Sequence, residues 1–266
     1  MMNRVEAAAK NNDQLFIPYI VAGDPTIEVT IDLARVLEES GAHILELGVP
    51  YSDPLADGPV IQAAANRSLQ EGTSLQTVID TVRQIRAAGI QIPIVLFCYV
   101  NPILKYGLHD AVKAASEAGV DGWLVPDLPY EENDEMKKTC NEYGNVLISL
   151  VAPTSNERVK RIAKEAQGFL YCVSSLGVTG VREEFDSRLD TFITAASESS
   201  SVPLAVGFGV SKREHVARLH TQGYGAVVGS RIVKEIEKYE TMLRDPHQRS
   251  KALLQIKTFV QSLVSS

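Results

Sequence analysis

The chain has 266 residues, 45% hydrophobic and 22% charged, a length for one α/β barrel or two smaller domains and a balance that supports a packed core and argues against wholesale disorder. Lys and Arg number 26 against 33 Asp and Glu, a net charge of −7 at pH 7. That argues against nucleic acid as a partner, because counterion release needs a basic face, and at first sight against a phosphorylated substrate too.

Residues 1–14 lack the apolar stretch of a signal peptide, and Met2–Lys10 reads as a helix ahead of the first strand. Leu15–Val21 is then a short apolar run, followed by Ala22-Gly23-Asp24-Pro25 and an amphipathic helix over Ile27–Ser40. The pattern recurs: strand His43–Val49, helix Leu75–Ala88, strand Ile92–Tyr99, helix Leu108–Ala118, strands Gly122–Val125 and Val146–Val151, helix Ser155–Glu165, strand Phe169–Val173, strand Leu204–Val206, helix Lys212–His220 and strand Ala226–Val228. Arg249–Leu263 reads as an additional closing helix. Gly41, Gly89, Gly119, Gly144, Gly168 and Gly223 fall where helices end, at positions that favour the left-handed region.

Apolar runs bounded by glycine are buried parallel strands, and parallel strands need helical crossovers. About eight βα units predict an α/β chain, a single (β/α)8 TIM barrel over residues 1–266 with extra N-terminal and C-terminal helices. A doubly wound open sheet is the rival fold, but the first strand leads into no Gly-x-Gly-x-x-Gly turn. No Pro/Ser-rich linker marks a domain boundary, and no apolar run reaches the ~20 residues of a membrane span. The expectation is a soluble, cytoplasmic protein that does not associate with membranes.

Barrel chemistry sits at the C-terminal ends of strands. Period-2 alternation in the second strand puts Ile44, Glu46 and Gly48 on one face and Leu45, Leu47 and Val49 on the other. If the first face is the interior, Glu46 points into the barrel mouth, where burial favours its protonated form and suits it to acid–base work. The bland alternative is a structural Glu paired with a buried cation, and the strands offer none. Asp53 and Asp57 lie four apart in the loop after this strand, where spacing alone leaves function and turn chemistry equally open. Asp127, after the fourth strand, reads as turn chemistry.

Three glycine-containing segments follow the last three strands: Gly177-Val178-Thr179-Gly180, Gly207-Phe208-Gly209 and Gly229-Ser230, the last opening a helix. Together they predict a phosphate site made of backbone N–H groups and a helix end, rather than of Lys or Arg. The five histidines and three cysteines show no metal-ligand spacing, so no metal is expected. Cys98, Cys140 and Cys172 read as reduced bystanders.

These motifs resemble the α subunit of tryptophan synthase over essentially the whole chain. The resemblance is carried by Ile17–Pro25, by the block Leu45–Pro59, by Ser175–Gly180 and by Gly207–Gly209. It implies retro-aldol cleavage of indole-3-glycerol phosphate to indole and glyceraldehyde 3-phosphate. Glu46 would be the general acid–base residue, and Asp57 the carboxylate that hydrogen-bonds the indole N–H. Tyr19, Phe97 and Leu124 would wall the indole, Tyr171 would stand near Glu46, and Thr179 would sit in a loop that closes over the substrate. Gly180, Phe208, Gly209, Gly229 and Ser230 would hold the phosphate. Position 19 is often Phe in this family, so Tyr19 is a departure.

The resemblance also implies a partner, a β subunit in an α2β2 heterotetramer that joins indole to serine with pyridoxal phosphate; this chain would need no cofactor of its own. Pro50, Asp53, Pro54, Asn101 and Pro129 would face that partner. Two rival functions are another phosphate-binding barrel enzyme, such as an indole-glycerol-phosphate synthase, and a non-catalytic phosphate-sensing subunit. The first depends on a strand lysine and the second predicts a broken acid–base set; here no strand lysine is present and Glu46 and Asp57 both are.

Overall fold

The computed structural model describes residues 2–12, 14–153, 155–173, 187–207 and 209–264, with the backbone alone for 187–190. Within them the strands are β1 (Phe16–Val21), β2 (Leu45–Gly48), β3 (Ile94–Phe97), β4 (Gly122–Leu124), β5 (Val146–Leu147), β6 (Ser149–Val151), β7 (Leu170–Val173), β8 (Leu204–Gly207) and β9 (Gly225–Val228). The helices are α1 (Arg4–Asn11), α2 (Ile27–Glu39), α3 (Pro59–Gln70), α4 (Leu75–Ala87), α5 (Val100–Tyr106), α6 (Leu108–Ala118), α7 (Asp134–Glu142), α8 (Asn156–Lys164), α9 (Ser187–Ser197), α10 (Arg213–Thr221), α11 (Ser230–Lys238), α12 (Glu240–Arg244) and α13 (Arg249–Val264), with a 3-10 turn at Tyr130–Glu132.

The strands run in the order β5-β4-β3-β2-β1-β9-β8-β7-β6, and every pair is parallel. The two ends of that order, β5 and β6, are consecutive in the chain on either side of Ile148. The run expected as one fifth strand, Val146–Val151, is thus two segments. Val146 and Leu147 pair with β4, Ile148 N–H donates to Trp123 C=O at 2.8 Å, and Ser149–Val151 pair with β7. The backbone changes partner at Ile148, so the covalent chain closes the (β/α)8 TIM barrel.

Alternation sorts the apolar residues into two cores. Leu45, Leu47 and Val49 belong to the outer layer, packed against the helices; Ile44 belongs to the inner cluster with Tyr19, Val95, Phe97, Leu124, Ile148, Tyr171, Ala205 and Val227. Gly48 and Gly207 are glycine for a reason of space. The Tyr19 hydroxyl stands where a Cβ on Gly48 would lie, and the Tyr171 hydroxyl does the same over Gly207. The six glycines expected at helix ends all have positive φ.

The expected N-terminal helix is α1, capped by Asn3 in a capping box with Glu6. Val5 and Ala9 join the inner cluster, so α1 plugs the barrel. Arg4 also reaches Asp121, whose carboxylate is 4% exposed, just ahead of β4. Asp121 accepts from Arg4 Nε at 2.7 Å, Arg86 Nη2 at 2.9 Å and Ile94 N at 2.8 Å. Arg86 additionally donates to the carbonyls of Gly119, Ile90 and Ile92. This network ties α1, α4, β3 and β4 together at the N-terminal ends of the strands, opposite the chemistry.

Near the other end, Arg67 of α3 forks onto Asp24 at 2.8 and 3.0 Å and reaches Glu237 of α11 at 2.9 Å. It fixes the two helices that follow β2 and β9 relative to the turn after β1. All three cysteines are buried free thiols, and burial raises Cys140 and Cys172 to about 12. No helix among the described residues is long and apolar enough to cross a membrane.

Candidate active site

A cavity of about 340 Å³ opens at the C-terminal ends of the strands, within the size range of small-molecule sites. Tyr19, Glu46, Phe97, Tyr171 and Val227 line it from the strands. Asp57, Pro59, Val60 and Ile61 line it from the β2 loop and the start of α3, and Gly209, Val210, Ser211, Gly229, Ser230, Arg231 and Lys234 from the far side.

Glu46 is 1% exposed and lies beside Tyr19 in the parallel register. Its Oε1 is buried without a hydrogen-bond partner among the described residues. A buried polar atom left unpaired costs stability, and an acid–base group has a use for that vacant lone pair. Burial raises the Glu46 carboxyl to about 8, with the charge of Asp57 adding to the effect. No cation is among the causes of that shift, so the structural ion-pair reading of Glu46 finds no support.

Asp57 is placed by local sequence. Gly58 is the N-cap of α3 and Pro59 its first residue, which fixes the turn at which Asp57 enters the cavity. Gln62 Nε2 donates to the Asp57 carbonyl at 2.7 Å. The carboxyl is 7% exposed; burial raises it to about 6, against the lowering effect of a hydrogen bond from Tyr99. The two carboxyls therefore differ at neutral pH, Glu46 mostly protonated and Asp57 mostly ionised. Buried Tyr19 and Tyr171 have phenols raised well above the usual range, first by burial and then by these two carboxylates, so both remain neutral. The rings continue as an aromatic series: Tyr19 meets Phe97 edge-on at 5.6 Å, and Phe97 meets Tyr99 at 5.9 Å.

Elsewhere on the lining Gly209 has φ +86°, and Gly229 precedes α11, whose first residues Ser230 and Arg231 line the cavity. Ser211 contributes a buried Oγ without a partner among the described residues. The expectation of a phosphate end without side-chain cations needs correction, because Arg231 and Lys234 line the same cavity. Arg231 is also engaged elsewhere, paired with Glu235 at 3.1 Å and stacked over Phe259 at 4.2 Å. Helical spacing brings residues 231 and 234 to one face, a signal that was open to reading once α11 was placed.

Of the expected site residues, Tyr19, Glu46, Asp57, Phe97, Tyr171, Gly209, Gly229 and Ser230 come together. Leu124 is fully buried in the same inner cluster without lining the cavity. Thr179, Gly180 and Phe208 lie outside the described residues. Of the residues expected to face a partner, Asp53, Asn101 and Pro129 are exposed and Pro54 is half-buried. Pro50 is buried, so its ring offers no surface in the isolated chain. Among the described residues no cluster of three His, Cys, Asp or Glu side chains is arranged to hold a metal ion.

Residues 5–263 match the family model described as the tryptophan synthase alpha chain. The chain is 53% identical over 265 residues to the tryptophan synthase alpha chain of Halalkalibacterium halodurans, covering 100% of both chains. It is 52% identical over 254 residues to that of Geobacillus kaustophilus, covering 96% of this chain and 95% of the relative. Among solved structures it is similar to a chain of the tryptophan synthase α2β2 complex of Pyrococcus furiosus, with a TM-score of 0.85, 37% identity and 100% of both chains covered. It is also similar to the alpha subunit of Legionella pneumophila, with a TM-score of 0.84 and 36% identity over 99% of this chain and 100% of that one. With a barrel, two buried carboxyls in one cavity and full-length relatives in agreement, the chain belongs to the tryptophan synthase alpha chain family.

Proposed function

We propose that the chain cleaves indole-3-glycerol phosphate to indole and glyceraldehyde 3-phosphate, with Glu46 as the acid–base residue and Asp57 as the electrostatic one. The observation that carries this assignment is the buried Glu46 carboxyl with an unpartnered oxygen, sharing one cavity with Asp57 and the N-terminus of α11. The indole ring lies among Tyr19, Phe97 and Tyr171, and the phosphate is assigned to Gly209, Gly229 and Ser230, together with Gly180 and Phe208, with Thr179 assigned to a loop that closes over the substrate.

Glu46, kept neutral by burial, gives its proton to indole C3. The ring's C2–C3 electron pair forms the new C–H bond, and positive charge develops on the ring nitrogen. Ionised Asp57 accepts a hydrogen bond from the indole N–H and stabilises that charge. The Glu46 carboxylate just formed takes the proton of the glycerol hydroxyl beside the scissile bond. The O–H pair becomes the aldehyde C=O, the C–C pair returns to the ring, and Glu46 is again protonated. The two carboxyls meet the whole requirement for charge and protons, which supports the view that this chain works without a cofactor of its own. The α11 N-terminus, helped by Arg231 and Lys234, accounts for an anionic substrate on a chain of charge −7.

The test is an assay of indole released from indole-3-glycerol phosphate, with and without a cognate β subunit. Turnover is expected to be bell-shaped in pH, falling below about 6 as Asp57 is protonated and above about 8 as Glu46 loses its proton. Asp57→Asn is expected to lower kcat about a hundredfold, the scale of losing one electrostatic stabiliser. A smaller loss than from changing Glu46 supports the assignment, and the reverse order would make Asp57 the principal catalyst.

The partner belongs to the same proposal: a β subunit seated over the barrel mouth, carrying the pyridoxal phosphate of the second reaction, in a cytoplasmic complex. Leu55, 77% exposed in the β2 loop, and Leu104, 59% exposed on α5, are large apolar side chains at that end, near Asp53, Pro54, Asn101 and Pro129. Leu104→Asp is expected to weaken β-subunit binding at least tenfold in a calorimetric titration, because it would bury a charge at a protein interface. An unchanged affinity would remove α5 from the interface.

A further inference from the structure

Tyr99 does not line the cavity, yet it is 1% exposed and touches the loop that carries Asp57. Its hydroxyl accepts from Ala56 N at 3.0 Å, one residue before Asp57, and its influence holds the Asp57 carboxyl down. That oxygen therefore holds the loop at the residue next to Asp57. On its other side Tyr99 is bound to α5: it is that helix's N-cap residue, and its ring stacks on Tyr51 at 5.1 Å with 29° between planes. The Tyr51 hydroxyl in turn accepts from Asn101 Nδ2 at 2.8 Å, on the first turn of the same helix.

We propose that Tyr99 is a positioning residue for Asp57, holding the carboxylate at the indole end of the cavity, and that α5 sets the placement of Tyr99 through Tyr51 and Asn101. The proposal rests on the role given above to Asp57. It makes the partner-facing helix the outer anchor of a catalytic carboxylate: a shift of α5 reaches Asp57 through a stacked ring pair and two hydrogen bonds, without moving a strand.

Tyr99→Phe keeps the stack on Tyr51 and the edge contact with Phe97 and removes only the hydroxyl. In the full chain with its β subunit, kcat is expected to fall about tenfold with KM within twofold, the effect of one hydrogen bond to a charged group. A second readout separates positioning from packing. The hydroxyl holds the Asp57 carboxyl down, so its loss moves the acid limb of kcat to higher pH. The other groups facing Asp57 do not titrate there. Glu46 stays protonated to about 8, and the phenols of Tyr19 and Tyr171 stay neutral. A substrate phosphate titrates near 6 in both enzymes and cancels in the comparison.

In an Asp57→Asn background, the same Tyr99→Phe change is expected to cost less than twofold. A full tenfold loss in that background, or an unmoved acid limb, overturns the positioning role while leaving Asp57 in place. Unchanged turnover in Asp57→Asn alone defeats the Asp57 assignment and the inference with it.

Discussion

Glu46→Gln is expected to lower indole production by at least a thousandfold while leaving the affinity for a phosphate-bearing ligand such as glycerol 3-phosphate within about twofold. General acid–base groups contribute about 10²–10⁴ in rate, and here one carboxyl serves both proton transfers. Gln has the shape of the protonated acid but cannot give up or accept the proton. The proposed phosphate end, at Gly209, Gly229 and Ser230, follows β8 and β9 and opens α11, away from β2 in the strand order. Retention of more than a tenth of the activity would remove Glu46 as the acid–base residue.

The same variant carries a thermodynamic signature. Glu46 titrates at about 8 in the folded chain against an ordinary 4.5, so the folded state binds the extra proton. The resulting stability is fully present below pH 4.5 and is lost as pH rises through about 8, at about 1.4 kcal/mol per pH unit in that window. Glu46→Gln has no proton to lose. Its stability relative to the parent therefore rises between pH 6 and 9, measured by urea unfolding, while its activity is absent across the range. A parallel pH dependence in both proteins would mean that the carboxyl is not the buried, unpaired group described above.

The second large effect concerns folding, at the end of the barrel remote from the cavity. Asp121→Ala is expected to destabilise the chain by about 3–5 kcal/mol, since it leaves a buried guanidinium without its carboxylate. Arg86 has 13% of its side chain exposed, and burial already lowers it to about 10 even with Asp121 present. The Ile94 N–H at the start of β3 loses its acceptor as well. A fall in Tm of roughly 10 °C follows for a chain of this size, with kcat of the remaining folded protein unchanged. A shift below 2 °C would show that the network is dispensable.

Much of this was legible before any coordinates. Period-2 alternation placed Ile44, Glu46 and Gly48 inward because a strand offers only two faces and Leu45, Leu47 and Val49 claimed the other. Helix α2 ends at the expected Ser40–Gly41 because Gly41 takes up the positive φ that stops a helix. The same alternation runs through Val95, Phe97 and Tyr99, all in the inner cluster, and would have pointed to Tyr99. What it could not show is that the hydroxyl bonds a loop 43 residues earlier in the chain. The division of the fifth strand is hidden because Val146–Val151 reads as one run with a single polar residue, Ser149, and only the partner strands differ on the two sides of Ile148. The presence of Arg231 and Lys234 on the cavity lining is not signalled by the loop glycines, which point to backbone donors and say nothing of the side chains on the following helix.

The tyrosines that stand over Gly48 and Gly207 carry a consequence for how this cavity can vary by descent. A methyl group at residue 48 needs the volume of the Tyr19 ring, and one at residue 207 needs that of Tyr171. Neither glycine can therefore be replaced alone by a small mutational step, even one as mild as alanine. Each glycine and its tyrosine form a pair of loci that must drift together, and the cavity that both tyrosines line inherits its shape from both pairs at once.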